Sequence, residues 1–384
     1  MTPAARAQAA IEILDEILRD ACHDAEHGPL LRGPGAEAVL IRWARAARYA
    51  GSGDRAAVRD LVFSALRRLR SSAALGGAPT GRGILAGLLT GQGQDPGGLF
   101  GGGRHGPAPL SEDERAAGRP LSEGEALDVP TWLLPELRRS LGMVMEPVCE
   151  ALRNRAPVHL RANLLRTDRD DLIRALTDEG IEAVAHPLSP TAVAVLAGER
   201  RLRSAVPLRD GRAEPQDAAS QAVADFVPLR PGMRVLDMCA GGGGKALALA
   251  ARGADVSAWD VAPGRMKDIP KRAARAGARI ELRDEPGQGW DLILCDAPCS
   301  GSGAWRRAPE GKWRLTSERL EELVAVQRRI LADAAGRLAP GGLLVYATCS
   351  LLNRENDHPG SPLRSIRLTP LDGGDGFYAA LFQP

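Results

Sequence analysis

Apolar residues recur at three- and four-residue spacing in "AAIEILDEILRDA", "AEAVLIRWARAARYA" and "DRAAVRDLVFSALRRLRSSA". That spacing puts them on one face of a helix and predicts a small helical bundle over residues 1–73. The pattern then fades. Glycine fills 8 of the 16 positions from Gly91 to Gly106, and such a chain loses too much conformational entropy on ordering to build a strong core. Residues 74–129 are therefore expected to be a Gly/Pro-rich linker with short helices. Order returns at Pro130. "TWLLPELRRSLG" and "DRDDLIRALTDEG" read as helices, the second opened by Thr167 or Asp168 as a cap, and "PVHLRAN" and "TAVAVLAG" read as strands. Together they predict a small mixed α/β module over residues 130–215.

The rhythm is clearest from 216 to 384. Apolar runs at "RVLDMC", "DVSAWD", "RIEL", "DLILCD" and "GLLVYATC" predict five strands separated by helices. In the helix "SERLEELVAVQRRILADAAGRL", Leu320, Leu323, Val324, Gln327, Ile330, Leu331 and Ala334 share one face. Strands alternating with helices over this length form a mainly parallel sheet covered on both sides, a Rossmann-like α/β fold. Ligands of such sheets sit at the carboxyl ends of the strands.

Composition narrows the picture little. The formal net charge is +2, and the modest basic excess in 263–285 and 300–330 suits phosphate contacts but is also common on solvated faces. The six cysteines, at 22, 149, 239, 295, 299 and 349, show neither a pairing rhythm nor the four clustered ligands of a structural zinc site. Reduced thiols in a cytoplasmic, monomeric protein are the expectation. No apolar run approaches the roughly 20 residues of a membrane span, and the start of the chain reads as an amphipathic helix and not as a signal peptide.

"VLDMCAGGGGKALALA" ends a strand at Asp237, turns on glycines and enters a helix. Glycines 241–244 allow close approach of a ligand, and the helix start presents free N–H groups. The spacing is neither GxxxxGK[ST] nor GxGxxG, so a nucleoside triphosphate or NAD is not the natural ligand. Asp260 ends the second strand about 20 residues after the turn, where a carboxylate accepts from ribose hydroxyls. Asp284 follows the third strand, within reach of an adenine amino group. An acidic rim with one cation, Lys245, is compatible with S-adenosylmethionine.

Cys299 and Cys349 follow the fourth and fifth strands, neighbouring ends in a parallel sheet. Free cysteines usually pack as small hydrophobes, and Cys239 and Cys295 read that way. Cys299 and Cys349 instead sit in turns ahead of serines, with Asp296 at the mouth of the same strand as Cys299 and Lys245 in the first turn. No histidine is placed for a Cys-His hydrolase: His105 lies in the glycine-rich region, His159 and His186 in the small module, and His358 after the last motif. A thiolate, a carboxylic acid and an electrophilic methyl together suit carbon 5 of a pyrimidine. That carbon becomes nucleophilic only after sulfur adds to C6, and a base inside a helix or stack must first be turned out.

"DMCAGGGGK", "DAPCSGSG", "KW", "YATCS" with "NREN", and "DGFYAALF" resemble the successive signatures of the NOL1/NOP2/Sun RNA cytosine-5 methyltransferases, more narrowly the RsmB-like bacterial group acting on 16S ribosomal RNA. The resemblance spans roughly 130–384, and the N-terminal helices are similar to that group's NusB-like RNA-binding domain. It implies Cys349 as the nucleophile, Cys299 as the residue assisting release, Asp296 at N3 and Lys245 organising the reacting centre. It also implies a cofactor site built from Asp237, Cys239, Ala240, Gly241, Gly242, Gly243, Gly244, Lys245, Asp260, Arg265, Asp284 and Asp296. "HLRANLL" resembles the family's RNA-binding appendage, with Arg161 and Asn163 its recognisable residues. Three departures stand out: Gly242 where the family has proline, the short connection "RDEPGQGW", and Pro359 and Pro362 where the family has another helix. A tRNA or DNA target, or a catalytically idle RNA-binding ribosome-assembly factor, remains open on these residues.

Overall fold

In the computed structural model the predicted N-terminal helices are α1 (Pro3–Leu18), α2 (Ala36–Ala46), α3 (Ser52–Arg67) and α4 (Leu69–Leu75). Residues 1–24, 28–357 and 360–384 are described; His358 and Pro359, raised above, lie outside the described residues. Thr2 caps α1 by accepting from the Ala5 N–H, with Pro3 in the first turn, where no amide is missed. A short hairpin of β1 (Cys22–Asp24) and β2 (Gly28–Leu30) follows.

The chain divides into two units, Met1–Arg155 with Ala304–Arg319, and Ala156–Gly303 with Leu320–Pro384. Within the first, the expected linker departs from its reading. Residues Gly81–Gly91 form an eleven-residue helix, α5, whose Ile84 and Leu85 are fully buried in one core with Leu14, Ile17, Val58, Val62 and Leu66. Its glycines serve packing. A Cβ on Gly87 would stand 1.9 Å from the Ser72 carbonyl oxygen, and one on Gly76 would stand 1.8 Å from that of Gly83. Glycine composition therefore marks a close helix–helix approach here as well as the loose chain beyond Gly91. The helices Leu134–Leu141 and Met145–Leu152 group with this unit, which buried Asp128 ties together by accepting from Ser71 N–H, the Ser71 hydroxyl and Arg153 Nε.

A second departure concerns "KW", which was expected inside the sheet domain. The Trp313 indole belongs to the helical core and donates to the Leu66 carbonyl at 2.7 Å. Lys312 donates to the Arg67 carbonyl at 3.0 Å, and burial pulls its ammonium down to about 8 although Asp128 opposes the shift.

The second unit carries two sheets. The smaller is antiparallel, in order β4 (Glu182–Ala185), β5 (Ala192–Ala197), β3 (Val158–Ala162), β6 (Ala213–Pro215), and packs against the helix Arg169–Asp178. Asp168 caps that helix, accepting from Asp171 N–H at 2.8 Å. The larger sheet has seven strands. Its order is β12 (Arg364–Leu368), β13 (Phe377–Phe382), β11 (Leu338–Thr348), β10 (Trp290–Asp296), β7 (Arg234–Asp237), β8 (Asp255–Ala258), β9 (Ile280–Leu282). Pairings from β9 through β11 are parallel, while β13 is antiparallel to both neighbours. Alternate residues feed two cores: Val235, Leu292, Leu294 and Val345 on one face, Leu236, Ile293, Leu344 and Tyr346 on the other. After "NREN" the helix is only Asn353–Asn356, and the chain then enters edge strand β12.

The helix contact yields a prediction. Gly87→Ala should destabilise the protein by roughly 2–3 kcal/mol through overpacking, read as a lower urea midpoint. Exposed Gly98, whose Cβ would meet nothing within 4 Å, should tolerate alanine within about 0.5 kcal/mol.

Candidate active site

The parallel order brings the ends of β7, β10 and β11 side by side, because the chain winds from β7 outward to β9 and then crosses to β10 on the other side. The crevice at that reversal is where doubly wound sheets hold ligands. After Asp237 the chain turns through Gly241 and Gly243, at φ of 49° and 78°, and enters the helix Gly244–Ala251. At Gly243 a side chain is excluded twice over, since its Cβ would also stand 2.7 Å from Ile269 Cγ1. Ala240 is buried beneath the turn, while Gly242 is exposed and its carbonyl accepts from Arg272.

Asp260, at 1% exposure, organises this turn. Its Oδ2 accepts from Gly241 N–H at 3.0 Å and Arg265 Nη1 at 2.9 Å, and its Oδ1 accepts from Ala262 N–H at 2.9 Å. Asp237 is equally buried, and its Oδ1 has no hydrogen-bond partner. Burial first, then the charge of Asp296, pushes its carboxyl up to about 7, against the pull of Lys245 and the Ala246 and Cys239 N–H groups. An orphaned buried acceptor of this kind marks a place for a donor or cation from a ligand. Cys239, half-buried beside it, is held protonated by burial and by Asp237 and Asp296. Asp284 stands apart from this cluster. It is exposed beyond β9, and its carbonyl accepts from Trp259 Nε1 at 3.2 Å.

Arg161 and Asn163 are buried in the clamp between the small sheet and the large one. Arg161 donates to the Gly244 carbonyl at 2.7 Å, and Asn163 Nδ2 to the carbonyls of Gly211 and Ala276. Buried Glu214 on β6 joins them by pairing with Arg272 and Arg275. The module motif thus braces the glycine turn from behind.

Lys245 lies almost wholly buried and donates to Asp296 Oδ2 at 2.6 Å, with its ammonium 5.0 Å from the centre of the Phe377 ring. Burial pulls its pKa down, but Asp296, Asp237 and Cys349 outweigh that and leave it raised. Beyond Asp296, the turn "PCSG" and the turn "TCS" meet with Cys299 Sγ and Cys349 Sγ 3.5 Å apart. Cys299 is pushed well above a normal thiol by its hydrogen bond with Cys349, by burial and by the charge of Glu355. The two turns are stitched together: Gly303 N–H donates to the Cys349 carbonyl at 2.9 Å, Leu351 N–H donates to Ser302 Oγ at 2.8 Å, and Glu355 accepts from Ser300 and Ser350. The sequence singled out "NREN" without assigning work to Glu355 or Asn356. The available signal was that its polar residues follow a buried strand with too few residues between for an exposed surface helix.

Two family models match the chain. Residues 226–359 match 16S rRNA methyltransferase RsmB/F, and residues 129–199 match the RsmF/B-like ferredoxin-like domain, whose start precedes the second unit. The chain belongs to the bacterial RsmB/RsmF-like 16S rRNA cytosine-5 methyltransferase family. Among its relatives is ribosomal RNA small subunit methyltransferase B of Klebsiella pneumoniae, 32% identical over 281 residues that cover 65% of each chain. The same-named protein of Salmonella arizonae is 35% identical over 244 residues, covering 59% of this chain and 55% of that one. The match thus spans under two thirds of these RsmB relatives. Among solved structures, PH0851 superposes with a TM-score of 0.72 over 100% of this chain and 99% of that one at 20% identity. A methyltransferase homolog from Pyrococcus horikoshii gives 0.58 over 68% of this chain and 99% of that one at 23% identity. At these identities they establish the fold, a Rossmann-like methyltransferase sheet flanked by helices.

Asp237 carries a pH signature. The unfolded chain releases this proton near the ordinary 3.8 and the folded one near about 7, so its contribution to stability falls as pH rises through that window and is level above it. In urea titrations at pH 5 and pH 8, wild type should lose more stability than Asp237→Asn; equal losses would contradict the assignment.

Proposed function

We propose that the protein transfers a methyl group from S-adenosylmethionine to carbon 5 of a cytosine in 16S ribosomal RNA, by way of a covalent bond between Cys349 and C6. The observation carrying this reading is the pair of thiols 3.5 Å apart, beside the Lys245–Asp296 ion pair, at the ends of adjacent parallel strands.

The cofactor supplies an electrophilic methyl on a sulfonium. The residues present fit it: Gly241 and Gly243 take the positive φ that the turn after Asp237 needs, the orphaned Asp237 Oδ1 can accept from it, and Asp260 presents a carboxylate. Arg265, more than half exposed, holds Asp260 Oδ2 and can yield to ribose hydroxyls. Asp284 and the turn 239–244 complete the expected set.

For the base, Lys245 holds Asp296 by Oδ2 and so fixes the carboxyl that addresses N3. The Cys349 sulfur adds to C6 as a thiolate, and the electron pair displaced toward N3 and C5 is stabilised by a proton at N3. C5 would then be the nucleophile toward the methyl carbon, whose bond to the sulfonium sulfur breaks as the C5–methyl bond forms, the donor leaving as a neutral thioether. The C5 proton then passes to a base beside the site, and the C5–H electron pair expels the sulfur from C6 and regenerates the Cys349 thiolate, with Cys299 placed next to the departing sulfur to assist release. A base turned out of a stack is required, which selects unpaired or opened nucleotides.

The helical unit is read as a NusB-like RNA-binding domain at residues 1–73, extended by α5, and the small sheet as the module of 130–215 ahead of the catalytic domain. Arginines exposed on α2, such as Arg42 and Arg45, suit phosphate contacts. The protein is taken to act as a cytoplasmic monomer; among the described residues no helix is long and apolar enough to cross a membrane.

Methyl transfer to ribosomal RNA from cells lacking the protein, mapped by bisulfite sequencing, should reveal one changed cytosine; no change on any RNA would refute the reading. Cys349→Ala should abolish both transfer and the covalent complex. Cys299→Ala should let the complex accumulate on denaturing gels, and the reverse pattern would make Cys299 the nucleophile.

A further inference from the structure

Glu355 is a fully buried carboxylate whose hydrogen bonds join the two cysteine turns. Oε1 accepts from the Ser300 N–H at 2.8 Å and from Gln327 Nε2 at 3.0 Å, while Oε2 accepts from the hydroxyls of Ser300 and Ser350. Ser300 follows Cys299, and Ser350 follows Cys349. Gln327 also donates to the Pro298 carbonyl at 2.9 Å, which fixes the residue ahead of Cys299 as well. Every one of these donors is neutral, and Glu355 has no ion pair among the described residues. A charge buried without a counter-ion is costly and is retained only where several hydrogen bonds satisfy it.

We propose that Glu355 is a positioning residue for the cysteine chemistry, whose buried carboxylate fixes the two cysteine turns against each other and divides the labour between their sulfur atoms. The proposal rests on the reading above that Cys349 bonds the base and Cys299 assists its release. Its geometric part follows from the bonding pattern: one carboxylate grips the residue after each cysteine, so the two turns cannot move apart without breaking at least one of its bonds.

Its electrostatic part follows from position. The titratable groups around Cys299 are Cys349, Glu355 from the helix Asn353–Asn356 and Tyr346 from β11, whereas Lys245, paired with Asp296, faces Cys349. After the hydrogen bond with Cys349 and burial, the Glu355 carboxylate adds to the groups that discourage a thiolate at Cys299, whereas the Lys245 ammonium lies on the side of Cys349. The two sulfur atoms, 3.5 Å apart, therefore sit in different electrostatic surroundings, and Glu355 contributes to that difference. Asn356 supports the same turn by accepting from Thr348 Oγ1 at 2.6 Å and donating to the Ser350 carbonyl at 2.9 Å.

The test is alkylation of Cys299 by iodoacetamide in the full chain, followed by peptide mass spectrometry from pH 6 to pH 10. Glu355→Gln should lower the midpoint of the Cys299 profile by about one unit or more, about tenfold faster labelling near neutrality. Ser350→Ala, which removes one hydrogen bond and keeps the charge, should leave that midpoint in place. An unmoved profile in a folded Glu355→Gln protein overturns the proposal. If Glu355→Gln does not fold, Glu355→Asp decides: the charge stays but the tether shortens, so the Cys299 profile should hold while release of the covalent RNA complex slows about tenfold or more, and wild-type release overturns the proposal. Labelling needs neither RNA nor cofactor, so failure of methyl transfer in the wild type would count against the proposed function and leave the labelling result interpretable.

Discussion

The parallel register of β10 and β11 is the constraint on which the site depends. Asp296 lies opposite Ala347, and the Ala297 N–H donates to the Ala347 carbonyl at 2.9 Å. Three residues beyond Asp296 comes Cys299, and two beyond Ala347 comes Cys349, so two thiols 50 positions apart in sequence emerge at one place. A parallel pairing slipped by one residue would turn the whole of one strand over. The alternation of Leu292, Leu294, Val345 and Ala347 against Ile293, Cys295, Leu344 and Tyr346 in two separate cores prevents that slip.

Electrostatics then gives the site its character. Asp237, Asp260 and Asp296 cluster with Lys245 and Arg265, and of the three buried members, Asp237, Asp260 and Lys245, the charge of Asp296 acts in opposite senses on Asp237 and Lys245. Asp237 is raised because it is dry and next to a like charge, whereas Lys245 stays charged because its neighbours are anionic. A pocket with this excess of acids favours a cationic ligand over a polyphosphate. That preference agrees with a glycine turn lacking phosphate-loop spacing.

The strand ends were legible because apolar runs of this sheet stop abruptly at Asp237, Asp260, Asp296 and Thr348, followed by glycine, proline or cysteine. Their juxtaposition required only the strand order of a doubly wound sheet. Strands β4, β6 and β12 escaped notice because they are short and lie at sheet edges, β12 mostly exposed, so burial leaves little alternation to read. The α5 helix was hidden by its glycines, which look like loop chemistry until the close approach to Ser72 is seen. Glu355 was hidden for a different reason: a carboxylate in a polar tetrad reads as surface, and its four donors come from three separate segments of chain. The placement of Trp313 in the helical core is likewise a long-range choice, with nothing local in "KW" to announce it.

The central claim is that sulfur 349, and not its neighbour 3.5 Å away, makes the bond to the base. It can be tested on the unmutated protein with RNA containing 5-fluorocytosine, where fluorine replaces the hydrogen that must leave C5 and so halts the reaction at the bonded stage. Digestion and mass spectrometry of the trapped complex should find the nucleotide on the peptide bearing Cys349, and only when S-adenosylmethionine is present. Attachment to the peptide bearing Cys299, or no attachment to any cysteine, would contradict the account.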